Sequence, residues 1–339
     1  MTLRQFLRLP ADLSLGAFYA PVKEGGLGLP LLEVSTKLWR NKRVERILTA
    51  EEPAARVIES LSLHESLLRE LDTPIRFEEA LIPSKRELER VMVRRLHQSV
   101  DGAGLHQAAQ HPASTSWVST GDVGCSGSQF VSGLQTRFSV LATPARSFRR
   151  GGGGSPECGG GCRTRGTLAH IVQSCPVTHG PRVSRHDFLL SKLENHVGLG
   201  GTSRVLAKEP TLRTTEGVRK PDLLVVPIDG RKNVTVVDVQ VVSDQDLANS
   251  HRLKCDRYDR LAVREAIERQ YFGGERLLAF KVTTLTVNWR GCISPESARE
   301  LARLGIKKGW LTGYSLAALH GSFITYTAYN RTAGHAPRN

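Results

Sequence analysis

No stretch of roughly 18 consecutive apolar residues occurs in the chain, so no segment is built to span a bilayer. The opening, MTLRQFLRLPADLSLG, is too interrupted by polar residues and prolines for a signal peptide. Cysteine is scarce, with six among 339 residues, and all but one group are dispersed. That excludes a disulfide scaffold and suits a reducing compartment. Acidic residues are short as well: 33 Asp and Glu face 47 Lys and Arg, a formal charge of +14 with a pI near 9.9. The imbalance favours a polyanion such as DNA or RNA as partner, with an inert basic protein as the plain alternative. The run Gly151–Gly154 has no following Lys-Ser or Lys-Thr, so it is not a phosphate loop.

What is present divides by composition, and the length allows two or three domains. Residues 1–50 hold short apolar segments, FLRLP and AFYAPVKEGGLGLPLLE, with little local partner, then a basic helical stretch, VSTKLWRNKRVERIL. Glu51–Leu71 repeats Val57, Ile58, Leu61, Leu67 and Leu68 at helical spacing. Ser84 to Glu87 is a candidate capping box opening a basic helix over Leu88–Leu96. A basic helix of this kind either touches nucleic acid or presents a solvated face. Residues 98–150 lack periodicity and read as an irregular connector, anchored by Trp117 and Phe130, with a helix near Phe130–Leu141. Arg146–Arg150 and the glycines after them mark a boundary.

Beyond it comes Cys158-GGG-Cys162-RTRGTLA-His170-IVQS-Cys175. Cys-x3-Cys is a tight turn that directs two thiolates at one ion, and His170 with Cys175 can come from one helical turn and its end. The set is a four-ligand Cys3His shell suited to structural Zn²⁺, since no coordination position stays open. Ordinary reduced cysteines are the alternative. Arg163 and Arg165 inside the module, and Arg182 and Arg185 after it, make it a plausible nucleic-acid-binding element. His179 and His186 could each replace a zinc ligand or contact phosphate or backbone.

The second constellation lies in RKPDLLVVPIDGRKNVTVVDVQVVSDQDLANSHRLKCDRY, from Arg219 to Tyr258. Leu223–Ile228 and Val234–Val242 read as strands joined across Asp229-Gly230. Asp222 stands at the entrance of the first. Asp238 sits among five valines in the second, where a lone charge is costly unless paired or bound to a cation. A suitable register brings both carboxylates to one hard cation, Mg²⁺ or Mn²⁺. Two aspartates near a hairpin are more often turn or ion-pair residues.

FYAPVKEGGLGLPLLE, the CxxxC…TLAHIVQSCPVTHGPRVSRHD block and GVRKPDLLVV…VTVVDVQVV…KCDRY occur in this order. Together they resemble the carboxy-terminal part of the reverse-transcriptase polyprotein of non-LTR retrotransposons that carry a restriction-like endonuclease, the ribosomal-DNA-inserting type above all. The resemblance covers nearly the whole chain. It implies a mainly helical N-terminal region, a small zinc knuckle, and an α/β PD-(D/E)xK-like nuclease core with a mixed sheet flanked by helices. The corresponding bounds are a remnant adjoining the polymerase thumb (1–50), a helical linker (51–150), knuckle and basic segment (151–190) and endonuclease (200–330). Nuclear location, target DNA as partner and element RNA as a second partner also follow from the resemblance. Pro221-Asp222 matches the family's PD and Asp238 its second acid. Gln240 stands where the usual lysine would be. In these retrotransposons the lysine comes from a later helix, which points to Lys254, with Lys220 as the alternative. Nothing resembles the paired aspartates of a polymerase palm, so polymerisation is not expected, and the chain reads as a truncated copy or part of a longer gene.

In that scheme Asp222 and Asp238 hold Mg²⁺, Lys254 stabilises developing negative charge, and Arg219 and Lys220 hold phosphate. Glu209 is a candidate third acid, Tyr258 an accessory one turn beyond Lys254, and His251 a candidate aid or a local hydrogen-bonder. One amphipathic helix is expected over Ala248–Arg269, a half-buried strand over Leu277–Trp289, a helix from Ser294-Pro295 and a last helix over Leu316–Tyr329. Two rival readings remain: an inactive nucleic-acid-binding remnant and a zinc-stabilised interaction module.

Overall fold

The two valine-rich runs pair as an antiparallel hairpin, and this pair is the centre of a four-stranded mixed sheet. The structure, a computed structural model, describes residues 3–49, 63–120, 124–244 and 246–333. Its principal elements in chain order are α1 (Leu32–Leu48), α2 (Lys85–Gln98), α3 (Gly127–Arg137), α4 (Leu168–Gln173), α5 (His179–Leu199) and β1 (Ser203–Lys208). There follow β2 (Leu223–Pro227), β3 (Asn233–Val242), α6 (Leu247–Tyr258), α7 (Leu261–Tyr271), β4 (Ala279–Asn288), α8 (Pro295–Arg303) and α9 (Lys308–Thr332). The turn before β3 uses Gly230 at φ 78°, and Asp229 accepts a hydrogen bond from the Arg231 amide.

Sheet order is β1-β2-β3-β4, with β1, β2 and β3 antiparallel and β4 parallel to β3. A parallel neighbour needs a long crossover, and α6 with α7 supplies it. Both sheet faces are covered. Leu223, Val225, Val237, Val239, Leu285 and Val287 pack with residues of α5, α8 and α9, while Leu224, Val226, Val234 and Val236 pack with Tyr258 of α6 and with Val263, Ala266 and Ile267 of α7. Two-sided burial explains why β2 and β3 read as nearly unbroken apolar runs.

Several expectations need correction. The helix expected over Ala248–Arg269 is two helices, broken at Asp259-Arg260, where Arg260 is extended. α6 turns His251, Lys254 and Tyr258 to the sheet and α7 buries Ala262, Val263, Ala266 and Ile267, so one helical spacing runs through the break, while Leu253 and Leu261 are exposed. Tyr258 is the last residue of the first helix, and its hydroxyl donates to the Lys220 carbonyl. Strand β4 is buried from Thr283 to Asn288 rather than half-buried, because Ser297 of α8 and His251 of α6 bond its threonines. The last helix begins at Lys308, well before Leu316. Its glycines hid it from propensity, and at least one is a contact point, since a Cβ on Gly321 would collide with Arg185 of α5. The helix near Phe130 runs over Gly127–Arg137, opened by a capping box of Ser126 and Gln129.

The described part of the N-terminal third is mainly helical, with one short hairpin over residues 76–81. Its first segments do find partners: Leu7, Leu9, Leu13, Ala17 and Phe18 share a core with Met92, Leu96, Leu105, Leu134 and Phe138. Trp117 and Phe130 meet edge to face. Ser84 caps α2 by accepting from the Glu87 amide, while the Glu87 carboxylate pairs with Arg90. The expected helix over Glu51–Leu71 is described from Leu63 onward; residues 50–62 lie outside the described part. Among the described residues no helix is long and apolar enough to cross a membrane.

Candidate functional site

Two clusters of chemistry-bearing side chains form, and they adjoin. In the first, the ligand atoms of Cys158, Cys162, His170 and Cys175 all lie within 4.8 Å of one another. Thr167 caps α4 by accepting from the His170 amide, which places His170 in the first turn, and Cys175 follows just beyond the helix end. Cys175 Sγ is 3.7 Å from Cys158 Sγ and 3.6 Å from Cys162 Sγ. Gly160 allows the close turn, since a Cβ there would be 2.8 Å from Val177. Tyr329 of α9 closes the cluster: its hydroxyl lies 3.5 Å from Cys158 Sγ and accepts from the Gly159 amide at 2.8 Å. Burial, then the neighbouring thiols Cys175 and Cys158, push the Cys162 thiol up to about 12. Three thiols converging on one point, with one imidazole beside them, are a donor set that fits Zn²⁺. This zinc-knuckle-like Cys3His cluster supports zinc binding, and with all four positions filled by protein the ion would be structural.

The second cluster follows from strand register. Leu223 stands opposite Val237 and Leu224 opposite Val236. Continued by one residue, the same register sets Asp222 opposite Asp238, and residues directly opposite in an antiparallel pair point to one face. Asp222 Oδ2 accepts from the Val239 amide at 2.6 Å. From α6, packed on that face, Lys254 Nζ comes to 2.9 Å of Asp238 Oδ2. Positions 247, 251, 254 and 258 form the helix side turned to the sheet, so Lys254 arrives by ordinary amphipathic spacing.

Asp238 is 2% exposed, and its Oδ2, although at ion-pairing distance from Lys254, lacks a well-directed hydrogen bond. Burial first and the Asp222 charge second hold its carboxyl above the usual aspartate range, against the opposing pull of Lys254 and Tyr258. A desolvated acid beside a second acid, with an oxygen left short of partners, is an arrangement that a hard divalent cation relieves. The two aspartates therefore fit Mg²⁺ or Mn²⁺. They open into a cleft of about 430 Å³. A larger cavity of about 840 Å³ lies between α3 and α9, but its lining is mainly apolar and lacks an acid pair.

From sequence His186 is a candidate zinc ligand or a phosphate or backbone contact, and the structure places it beside an acid instead. Its Nε2 is 3.2 Å from Asp222 Oδ2 and its Nδ1 is 3.1 Å from Asp187. The hydrogen bond to Asp222, opposed by burial and aided by the Asp222 charge, pulls the imidazole up to about 9. Residues 179, 182 and 186 share one side of α5 and line the acid cleft with Gln173 of the knuckle helix. That i, i+3, i+7 spacing was readable, but nothing local tied it to an aspartate 36 residues on.

The remaining candidates separate. Lys220 is exposed and lines the cleft, and Tyr258 lines it from α6. Arg163 and Arg165 are exposed on the knuckle. Arg182 donates to the carbonyls of Gln173 and Cys175, which locks the knuckle's end to α5. Arg185, expected at a nucleic-acid surface, is only 5% exposed and donates to Ser322 and Gln173, so it is a buried packing residue. Arg219 turns to the Glu216 and Val218 carbonyls. Glu209 is exposed, and it meets Asp222 through its backbone amide, 2.7 Å from the Asp222 carbonyl; its side chain does not line the cleft. His251 bonds Thr284 and Ser297 away from the cleft. Gln240 lines the cleft and donates through Nε2 to the Ser250 carbonyl and Thr286.

No family model matches the chain. Individual proteins do. The chain is 29% identical over 341 residues to the "Retrovirus-related Pol polyprotein from type-2 retrotransposable element R2DM" of Drosophila melanogaster, across 98% of this chain and 31% of that protein. It is 28% identical to the Pol polyprotein from type-1 retrotransposable element R2 of Nasonia vitripennis, across 99% and 31%. With the Bradysia coprophila counterpart identity is 30% over 329 residues, across 96% and 37%. The chain thus spans about a third of the length of these relatives.

Proposed function

Because the homologues of this chain over nearly its whole length are R2 retrotransposon Pol polyproteins, we propose that it is the part of such a polyprotein that nicks target DNA. In this reading the sheet with α5, α6 and α7 is a PD-(D/E)xK-like nuclease core and the knuckle is its zinc-stabilised neighbour. The reaction is hydrolysis of a phosphodiester: a water oxygen bonds to phosphorus, the P–O3′ bond breaks, and the freed O3′ takes a proton. The exposed 3′-hydroxyl then primes reverse transcription of element RNA by a polymerase region outside this chain. The observation that carries the reading is Asp222 opposite Asp238 with Lys254 Nζ 2.9 Å from the second acid.

Asp222 and Asp238 would hold the cation. When bound, a divalent ion supplies Lewis acidity to the scissile phosphate and acidifies water. The chain's residues do the rest. Lys254 presents its positive charge where negative charge grows on the phosphate. His186 and the Val239 amide both hold Asp222 Oδ2, and Tyr258 ties α6 to the Lys220 carbonyl, so that the lysine and both acids keep one geometry. Lys220 and His179, exposed at the cleft, suit phosphate contacts.

The test is nicking of supercoiled plasmid with Mg²⁺ alongside a gel shift. Asp222→Ala should abolish nicking and leave most DNA binding. Undiminished nicking by that variant contradicts the assignment. Nicking absent from the wild type, with binding intact, favours the inactive nucleic-acid-binding reading.

A further inference from the structure

Helix α1 carries a face that the other described residues leave uncovered. Trp39 stands in its middle, 56% exposed. Lys42, Arg43 and Arg46 follow at i+3, i+4 and i+7, which places all four on one side of the helix. With Ile47 they line a shallow concavity of about 520 Å³. The helix is anchored by its other side, where Val34 and Val44 are buried. Among the described residues no carboxylate pairs with Lys42, Arg43 or Arg46. Glu33 and Glu45 are the only acids on the helix.

An indole left in water forgoes the burial that makes tryptophan stabilising, and three cations beside it make a poor seat for an apolar protein surface. The same set is suited to a ligand with flat apolar faces joined by regularly spaced negative charges. We infer that this face binds an unpaired nucleic-acid strand, with a base stacked on Trp39 and the adjoining phosphates held by Lys42, Arg43 and Arg46. Seven residues of helix span about 10 Å, enough for the backbone on either side of one base. A duplex keeps its bases stacked inward and offers only phosphates. Long flexible cations and an indole read neither base edges nor the 2′-hydroxyl, so the face is indifferent to sequence and to sugar. It belongs to the N-terminal core, apart from the acid cleft, and none of its residues lines that cleft.

The test uses the full zinc-loaded chain without Mg²⁺ and labelled 15-mers of thymidine, of uridine and of abasic sugar-phosphate, with a hairpin duplex, read by fluorescence anisotropy. Trp39→Ala should weaken both pyrimidine strands about tenfold, a typical loss for one stacked base. Trp39→Phe should restore most of the affinity. The abasic strand should bind wild type no better than the thymidine strand binds Trp39→Ala. Replacing Lys42, Arg43 and Arg46 together by Gln should reduce the log–log salt slope by about 2, from roughly 0.7 per phosphate contact on single strands. All substituted side chains point to solvent, so circular dichroism should be unchanged. An unchanged affinity of Trp39→Ala for unpaired strands overturns the inference. So does an equal loss on strand and duplex, and so does more than a tenfold preference for one sugar.

Discussion

Asp238→Asn should make the protein more stable and less active at once. Asp238 is almost wholly buried, faces the Asp222 charge, and has Lys254 as its ion-pair partner, with the lysine side chain 27% exposed. Its carboxyl is held above the ordinary range by burial and then by Asp222. A carboxyl raised in the fold contributes stability below its unfolded value, near about 4, and loses it as pH rises through the folded value. At neutral pH the ionised acid therefore weakens the fold. The neutral isostere removes that cost, while Lys254 stays near Asp222 and solvent. Removing one partner of a buried pair is costly where the other charge is left buried and unpaired, but the Lys254 side chain reaches solvent, so the relief of the desolvated carboxylate should prevail by roughly 1–2 kcal/mol at neutral pH. For a chain of this size that is about 1.5–3 °C in melting temperature. The check is thermal unfolding with zinc present and Mg²⁺ absent, repeated toward pH 4, where the gap should close, together with plasmid nicking, which should be lost. A variant that melts well below wild type at neutral pH, or that still nicks, refutes the reasoning.

Added Mg²⁺ should stabilise the wild type and not Asp238→Asn; about 10 mM against a millimolar Kd gives roughly 1.4 kcal/mol, read as a shift in the melt. Cys175→Ser should lose one equivalent of zinc by elemental analysis and lower the melting temperature, because the four donors act as one shell. Tyr329→Phe strands the Gly159 amide and removes a contact to Cys158, so zinc should be lost to a competing chelator about 10-fold faster or more. Gly321→Ala sets a methyl against the buried Arg185 side chain and should cost about 1–3 kcal/mol in denaturant unfolding.

The zinc-knuckle-like cluster was legible because its four donors lie within 18 residues and short chain segments can bring them to one point. The hairpin was legible because valine runs and an Asp-Gly turn are local signals. Other features were not. The break at Asp259-Arg260 is invisible to periodicity because both helices serve the same sheet face. Arg185 looks like any basic residue of a basic segment. Its burial depends on Ser322, 137 residues away.

The amino-acid sequence by itself determined the donor sets, the strands that carry the acids and the excess of positive charge, since each depends on residue type and short spacing. Tertiary structure alone decided which face each acid occupies, because a one-residue slip in strand register would part Asp222 from Asp238. It alone brought His186 from a separate helix to Asp222, and set Gln173 of the knuckle helix and Arg182 of α5 in the wall of the acid cleft. It also left Trp39 bare on a basic helix, because exposure depends on what the rest of the chain covers.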